Sequence, residues 1–306
     1  MPLELRPVET NTDLAAVTEI RGRTDPDASL TVEDLRAGRG FLVDLYDLIA
    51  WESENPVGFA YAALHPGWER KGWALGEIVV LPEHRRRGIG RVLHDAVLTH
   101  ARALGKAGLQ VEAREDDAQT LGFLDRRGYT EVERQQGLVL ELAGLEPPPA
   151  DAPEGIEIVT RRPEHERALY ELTLQANEDI PGVESEHALT FEGWRASEVA
   201  RPSKPAEFTF IALEAGESVG YAALNVGRRR IDHGLTVVRR DRRGRGIAGA
   251  LKRAQIAKAI EAGYERLYTE SEERNVPMRT LNERLRYEPL SALVVLRGPG
   301  AARMGT

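Results

Sequence analysis

The chain has 306 residues, beyond the size at which one hydrophobic core usually keeps growing, so two domains are expected. It contains no cysteine, which excludes disulfides, thiolate metal sites and an acyl-cysteine intermediate; its net charge of -8 argues against general nucleic-acid affinity and leaves neutral or cationic partners open. MPLELRPVET lacks the basic and apolar regions of a signal peptide, and no apolar run nears the roughly 20 residues that span a bilayer, so a cytoplasmic protein without a membrane segment is expected.

Leu3–Pro7 reads as a short strand and Asp13–Arg21 as an amphipathic helix. Phe41–Trp51 and Val57–Leu64 read as strands joined by the turn-forming Ser53-Glu54-Asn55-Pro56. Trp73–Leu81 is a β-branched run ended by Pro82. Past an arginine-glycine loop, Ile89, Leu93, Ala96, Val97 and Leu104 fall on one helical face, and Gly105 and Gly108 stop that helix. Leu109–Ala113 is a buried strand, about Asp117–Arg127 a second short helix, and Tyr129–Leu142 supplies the closing strands. This order is an α+β sandwich with a mixed sheet.

The same order then recurs. EIVVLPEHRRRGIGRVL from Glu77 aligns with LTVVRRDRRGRGIAGAL from Leu235, pairing Val79 and Val80 with Val237 and Val238, and Gly88 with Gly246. GYTEV from Gly128 aligns at the same offset with RYEPL from Arg286, and LELR from Leu3 resembles IEIV from Ile156. PVGFAYA at Pro56 matches SVGYAAL at Ser218, with a shorter loop following in the second copy. EPPPADAPEG, Glu146 to Gly155, reads as a semi-rigid linker, which gives domains at 1–146 and 154–306.

A strand, then Arg85-Arg86-Arg87-Gly88-Ile89-Gly90 with Arg91 beside it as a further candidate binding residue, then a helix, places free backbone N–H groups at a helix N-terminus. With the positive end of the helix dipole they form an anion site. The second copy repeats the arrangement as Arg243-Gly244-Arg245-Gly246-Ile247-Ala248. The P-loop pattern is excluded because neither loop has its lysine, and the dinucleotide fingerprint fails where Leu93 replaces its third glycine.

In these residues the chain resembles the GNAT superfamily of N-acetyltransferases, twice over. Arg85–Gly90 and Arg243–Ala248 match its Q/R-x-x-G-x-G/A signature, and Val80, Pro82 and Glu83 its V-x-P-E pattern; Asn275 with Tyr287, and Gly128 with Tyr129, match its late block. The resemblance implies two tandem domains, each a splayed mixed sheet flanked by helices. It implies that Val79–Val80 and Val237–Val238 hydrogen-bond a pantetheine arm, that the loop amides hold the pyrophosphate of acetyl-CoA, and that Asn275 lies at the cofactor site. No metal is implied.

A base is then needed for the acceptor's ammonium, and Glu77, two residues before Val79, shares its strand face. Leu235 replaces it in the second copy, where Asp232 and His233 are the nearest candidates. The position of the tyrosine that often protonates the thiolate is Leu124 in one copy and Asn282 in the other. Tyr129 and Tyr287 read as packing residues. The acceptor is expected over Arg21–Gly40, with Asp25, Asp27 and Glu33, and over Asn177–Arg201, with Glu178, Asp179, Glu184, Glu186 and Trp194; a carboxylate wall beside an aromatic suits a cationic amine. The expected activity is acetyl transfer to an amine of a small molecule or peptide by a monomer or homodimer, without nucleic acid or membrane. Two alternatives stand beside it: an acyl-CoA sensor with one or both copies non-catalytic, and a tandem acetyltransferase laid out like mycothiol synthase.

Overall fold

The computed structural model describes residues 3–25, 30–66, 72–149, 151–179, 189–227, 229–272 and 274–299. The first repeat opens with β1 (Leu3–Pro7), α1 (Asn11–Thr24), α2 (Val32–Phe41), β2 (Val43–Glu52) and β3 (Asn55–Leu64). It continues through β4 (Trp73–Val80), α3 (Ile89–Ala103), β5 (Gly108–Arg114), α4 (Ala118–Asp125) and β6 (Thr130–Glu141). The second opens with β7 (Ile156–Thr160), α5 (Glu166–Asp179), α6 (Phe191–Glu198), β8 (Thr209–Glu214) and β9 (Glu217–Val226). It closes with β10 (Ile231–Val238), α7 (Ile247–Glu261), β11 (Arg266–Glu272), α8 (Val276–Arg284), β12 (Glu288–Pro289) and β13 (Leu293–Gly298).

The chain divides into two compact units, and they are not the contiguous halves 1–146 and 154–306. One unit is Met1–Arg134 with Ala292–Thr306, the other Gln135–Ser291. The last strand of each repeat belongs to the unit built by the other repeat. In the first unit the strand order is β1-β2-β3-β4-β5-β13, with Leu293–Gly298 of β13 antiparallel to Leu109–Arg114 of β5. In the second it is β7-β8-β9-β10-β11-β6, with Gln135–Glu141 of β6 antiparallel to Arg266–Glu272 of β11.

In the first unit Leu93, Val97 and Ala101 of α3 are buried against Ala60, Ala62, Val111 and Val294. The other face packs Leu14, Val17 and Ile20 of α1 on Ile49 and Phe59. Thr10 and Asp13 start α1 as a reciprocal capping box, and Thr31 with Asp34 does the same for α2. The second unit repeats this plan. Ile247, Leu251 and Ala254 of α7 cover one face, and Leu169, Leu172 and Trp194 cover the other.

Candidate active site

β4 and β5 run parallel and pair only from Trp73–Leu75 to Gly108–Gln110, after which they part. The edge of β4 from Gly76 to Val80 that faces this opening therefore carries backbone groups without strand partners, while its other edge stays paired to β3. β10 and β11 part in the same way beyond Ile231–Asp232 and Leu267–Tyr268. A wedge of unpaired backbone beside Val79–Val80, and another beside Val237–Val238, leads to each arginine-glycine loop.

The two loops have one backbone shape. Arg86 and Gly244 lie at φ 64° and 77°, and the N-cap glycines Gly88 and Gly246 at 87° and 83°. Such alternation of left- and right-handed residues makes an anion-binding concavity. Gly88 and Gly246 have no side chain to cap the helix, and the amides of Arg87 to Gly90 have no acceptor among the described residues. Glycine is required at 88 by its backbone angle, since a Cβ there meets nothing within 4 Å. At Gly90 the φ is ordinary, and Ala248 fills the equivalent place. Ile89 and Ile247 are buried and anchor their helices, so only their amides face the loop.

The arginines divide into distinct tasks. Arg85 Nε donates to the Val80 carbonyl at 3.1 Å and Arg243 Nε to the Val238 carbonyl at 3.0 Å, tying each loop to its strand. Arg87 Nη2 lies 2.7 Å from Glu52 and Arg245 Nη1 2.7 Å from Glu214. Arg86 is exposed without a partner among the described residues, and Arg91 is exposed near Asp95. One difference separates the copies. The Asp179 carboxylate lies 2.5 Å from both Arg240 and Arg243, and Glu178 2.8 Å from Arg240, whereas Arg85 has no carboxylate partner among the described residues.

Glu77 opposes Tyr61 across the β3–β4 pair, so the two side chains share a face with Val79, toward α1. Its carboxylate is paired with Arg21 Nη2 of α1, whose guanidinium lies over the Phe59 ring at 5.0 Å. Burial pushes the Glu77 carboxyl up, and the Arg21 charge draws it part of the way back. Burial, then the Glu77 charge, also raises the Tyr61 phenol. Sequence reasoning missed Arg21 and Tyr61. Tyr61 was readable from the register of the two strands, whereas Arg21 reaches Glu77 across 56 positions with no local signal.

Other expected residues have different surroundings. A bulge between His233 and Thr236 puts Gly234 and Leu235 opposite Ala223, so Glu77 has no one-for-one counterpart in β10. Asp232 is held by Arg230 at 2.7 Å. His233 Nε2 lies 2.5 Å from the Tyr287 hydroxyl and Nδ1 2.8 Å from Gln255 Oε1. Tyr129 is buried with its hydroxyl 3.1 Å from His94 Nε2, and Leu124 is core. Asn275 caps α8 through its side-chain oxygen, as Asp117 caps α4.

The acceptor wall of the second copy needs correction. Trp194 is 2% exposed and donates to Thr173 Oγ1 inside an apolar cluster, while Glu178 and Asp179 are committed to loop arginines. The indole is drawn inward because its N–H finds a buried hydroxyl. Asp27, Glu184 and Glu186 lie outside the described residues. Among the described residues, no group of three or more His, Cys, Asp or Glu is placed to hold a metal, and no helix is long and apolar enough to cross a membrane.

Known proteins share this fold. A structure titled as a tandem GNAT protein from the clavulanic acid biosynthesis pathway superposes with a TM-score of 0.77 at 22% identity, covering 98% of this chain and 100% of that one. A GCN5-related N-acetyltransferase from Sphaerobacter thermophilus gives 0.70 at 23% identity, covering 99% and 98%. A mycothiol acetyltransferase of Geodermatophilus obscurus is 30% identical over 107 residues, 33% of this chain and 35% of that protein, so the match spans about a third of the curated relative. The model of the acetyltransferase (GNAT) family matches at residues 13–129 and again at 167–286. The chain therefore belongs to the GNAT acetyltransferase family and carries its domain twice.

Proposed function

We propose that the chain is an acetyl-CoA-dependent N-acetyltransferase of the cytoplasm, acting on an amine of a small molecule or peptide, with chemistry in the first unit. The observation that carries this reading is the position of Glu77. It stands where β4 has parted from β5 while still paired to β3, two residues from Val79 and one strand away from Tyr61, just ahead of a loop whose amides are open to an anion. In this reading the loop amides take the pyrophosphate and the edge of Val79–Val80 takes the pantetheine amides.

Glu77 accepts the ammonium proton, directly or through water, and the free amine attacks the thioester carbonyl. The N–C bond forms and the C–S bond breaks; the leaving thiolate takes a proton from Tyr61, the phenol next to the base, and the second proton, shed by nitrogen as the amide forms, restores that phenol. A carboxyl raised by burial suits this step, because a stronger base removes an ammonium proton more readily. Arg21 keeps that base oriented. No covalent enzyme intermediate is needed, in keeping with a chain that has no cysteine.

A second reading applies to the second unit, which we propose binds acyl-CoA without turnover. Three features support it: Asp179 between the loop arginines, Asp232 held by Arg230, and His233 enclosed by Tyr287 and Gln255. Thiol release from acetyl-CoA over a panel of amines, with Glu77→Gln beside the wild type, tests both readings. Activity surviving that change would move catalysis out of the first unit.

A further inference from the structure

The second unit buries polar side chains at positions where the first buries mostly apolar ones. Lys252 and Gln255 of α7 are 1% and 0% exposed, and Asn282 at the end of α8 is 0% exposed. In the first copy the aligned residues are His94, Val97 and Leu124, two of them plain core residues. His94 is also satisfied there, through the Tyr129 hydroxyl.

The hydrogen bonds of the second cluster run in one direction. Gln255 Oε1 only accepts, so His233 donates from Nδ1; burial and the nearby Lys252 charge keep that imidazole neutral, so its Nε2 accepts from the Tyr287 hydroxyl. The chain of bonds therefore ends in donors that meet no acceptor among the described residues. Among the described residues, Lys252 Nζ and Gln255 Nε2 have no hydrogen-bond partner, and neither do the two amide atoms of Asn282 or the Thr236 hydroxyl. Among the described residues, Lys252 Nζ faces the Tyr287 ring, 5.3 Å from its centroid. The buried acid of this unit, Glu166, is committed to Arg195 at 2.7 Å. A buried ammonium and two primary amides without acceptors leave a large desolvation penalty unmet.

We infer that Lys252 Nζ and Gln255 Nε2, with Asn282 nearby in the fold, form a site for a small monovalent anion, either an inorganic ion or the carboxylate of a bound molecule. The unmet atoms are mainly donors and the unmet charge is positive, which is the complement of such an ion. Burial without it lowers the Lys252 ammonium to about 7, and an anion at Nζ restores the charged form. The inference is independent of the acyl-transfer reading, because it concerns atoms that reading does not use.

The test is thermal unfolding of the full chain at pH 7, with ionic strength held by gluconate, which is too bulky for a buried site, as chloride or formate replaces it. The wild type is expected to rise by about 5 °C once the anion is well above its dissociation constant. Lys252→Met is expected to show no rise. A second variant, Lys252→His with Gln255→Val and Asn282→Leu, installs the side chains of the first copy. It should match or exceed the wild type in gluconate and lose that margin when the anion is present. A rise with chloride identifies an inorganic ion as sufficient, and a rise with formate alone identifies a carboxylate. If neither variant folds, crystals of the wild type soaked in bromide decide, through an anomalous peak at Lys252 Nζ. A flat wild-type response to both anions, or an equal rise in both variants, overturns the inference, and so does an absent bromide peak at Nζ where chloride raises the unfolding temperature.

Discussion

Asp179→Asn separates the two phosphate loops experimentally. The wild-type carboxylate sits between Arg240 and Arg243, whose hydrogen bonds and charges lower its pKa from 3.8 to about 2. Taken at face value, that shift corresponds to roughly 2.5 kcal/mol of linkage. The side chain is 25% exposed, and solvent screening at the surface brings the figure to about 1 kcal/mol. Because the pKa is depressed, this stabilisation is complete above the ordinary carboxyl value and is lost only as pH falls through about 2. At pH 7 the substitution therefore lowers the stability of the second unit by about 1 kcal/mol. It also removes a negative charge that opposes any pyrophosphate at the same loop, a repulsion of about 1 kcal/mol at surface dielectric, so acetyl-CoA affinity there should rise about fivefold. Calorimetric titration in a Gly88→Glu background, which silences the first loop, isolates that site. Unchanged or weaker binding in Asp179→Asn would refute the view that this carboxylate competes with the ligand.

The other expectations concern the first unit. Glu77→Gln should lower kcat by about 10²–10⁴ while leaving acetyl-CoA affinity near wild type, as read by thiol release and calorimetry. In the wild type, activity should rise with pH through a limb displaced above the ordinary carboxyl range, and that limb should vanish in Glu77→Gln; a limb that persists assigns the base elsewhere. Tyr61→Phe should lower kcat by about 10²-fold without changing KM for acetyl-CoA, since only proton delivery to the thiolate is lost. Gly88→Glu forces a side chain onto a backbone at φ 87°, strained by about 1–2 kcal/mol, and adds a negative charge beside the anion site. Titration should then show binding lost at the first unit and kept at the second.

The strand-loop-helix segments were legible in the sequence because everything that shapes them is local. A β-branched run, glycines at left-handed positions and a helix with one apolar face lie within a few turns of one another. The helix α2 was not assigned, because two glycines in Val32–Phe41 weaken the helical pattern, although the Thr31–Asp34 capping pair marks its start. The exchange of β6 and β13 was not legible either, since strand patterns encode a face and not a partner. Ion pairs were the least legible layer. Arg21 with Glu77 and Asp179 with Arg243 join residues that are distant in sequence, and nothing in the spacing of the carboxylates distinguished a solvated face from one bound to an arginine. The bulge at Gly234–Leu235 likewise blurred which residue of β10 stands where Glu77 does.

The exchange of terminal strands also sets the order in which the molecule is completed. When the ribosome has made the first 146 residues, β5 still lacks its neighbour, which arrives only with Leu293–Gly298. The half-finished first unit exposes an open sheet edge while the whole second repeat is synthesised, and such an edge pairs readily with other strands. The strand that bounds the wedge beside β4 on its far side, β5, is therefore completed by residues about 180 positions further along the chain.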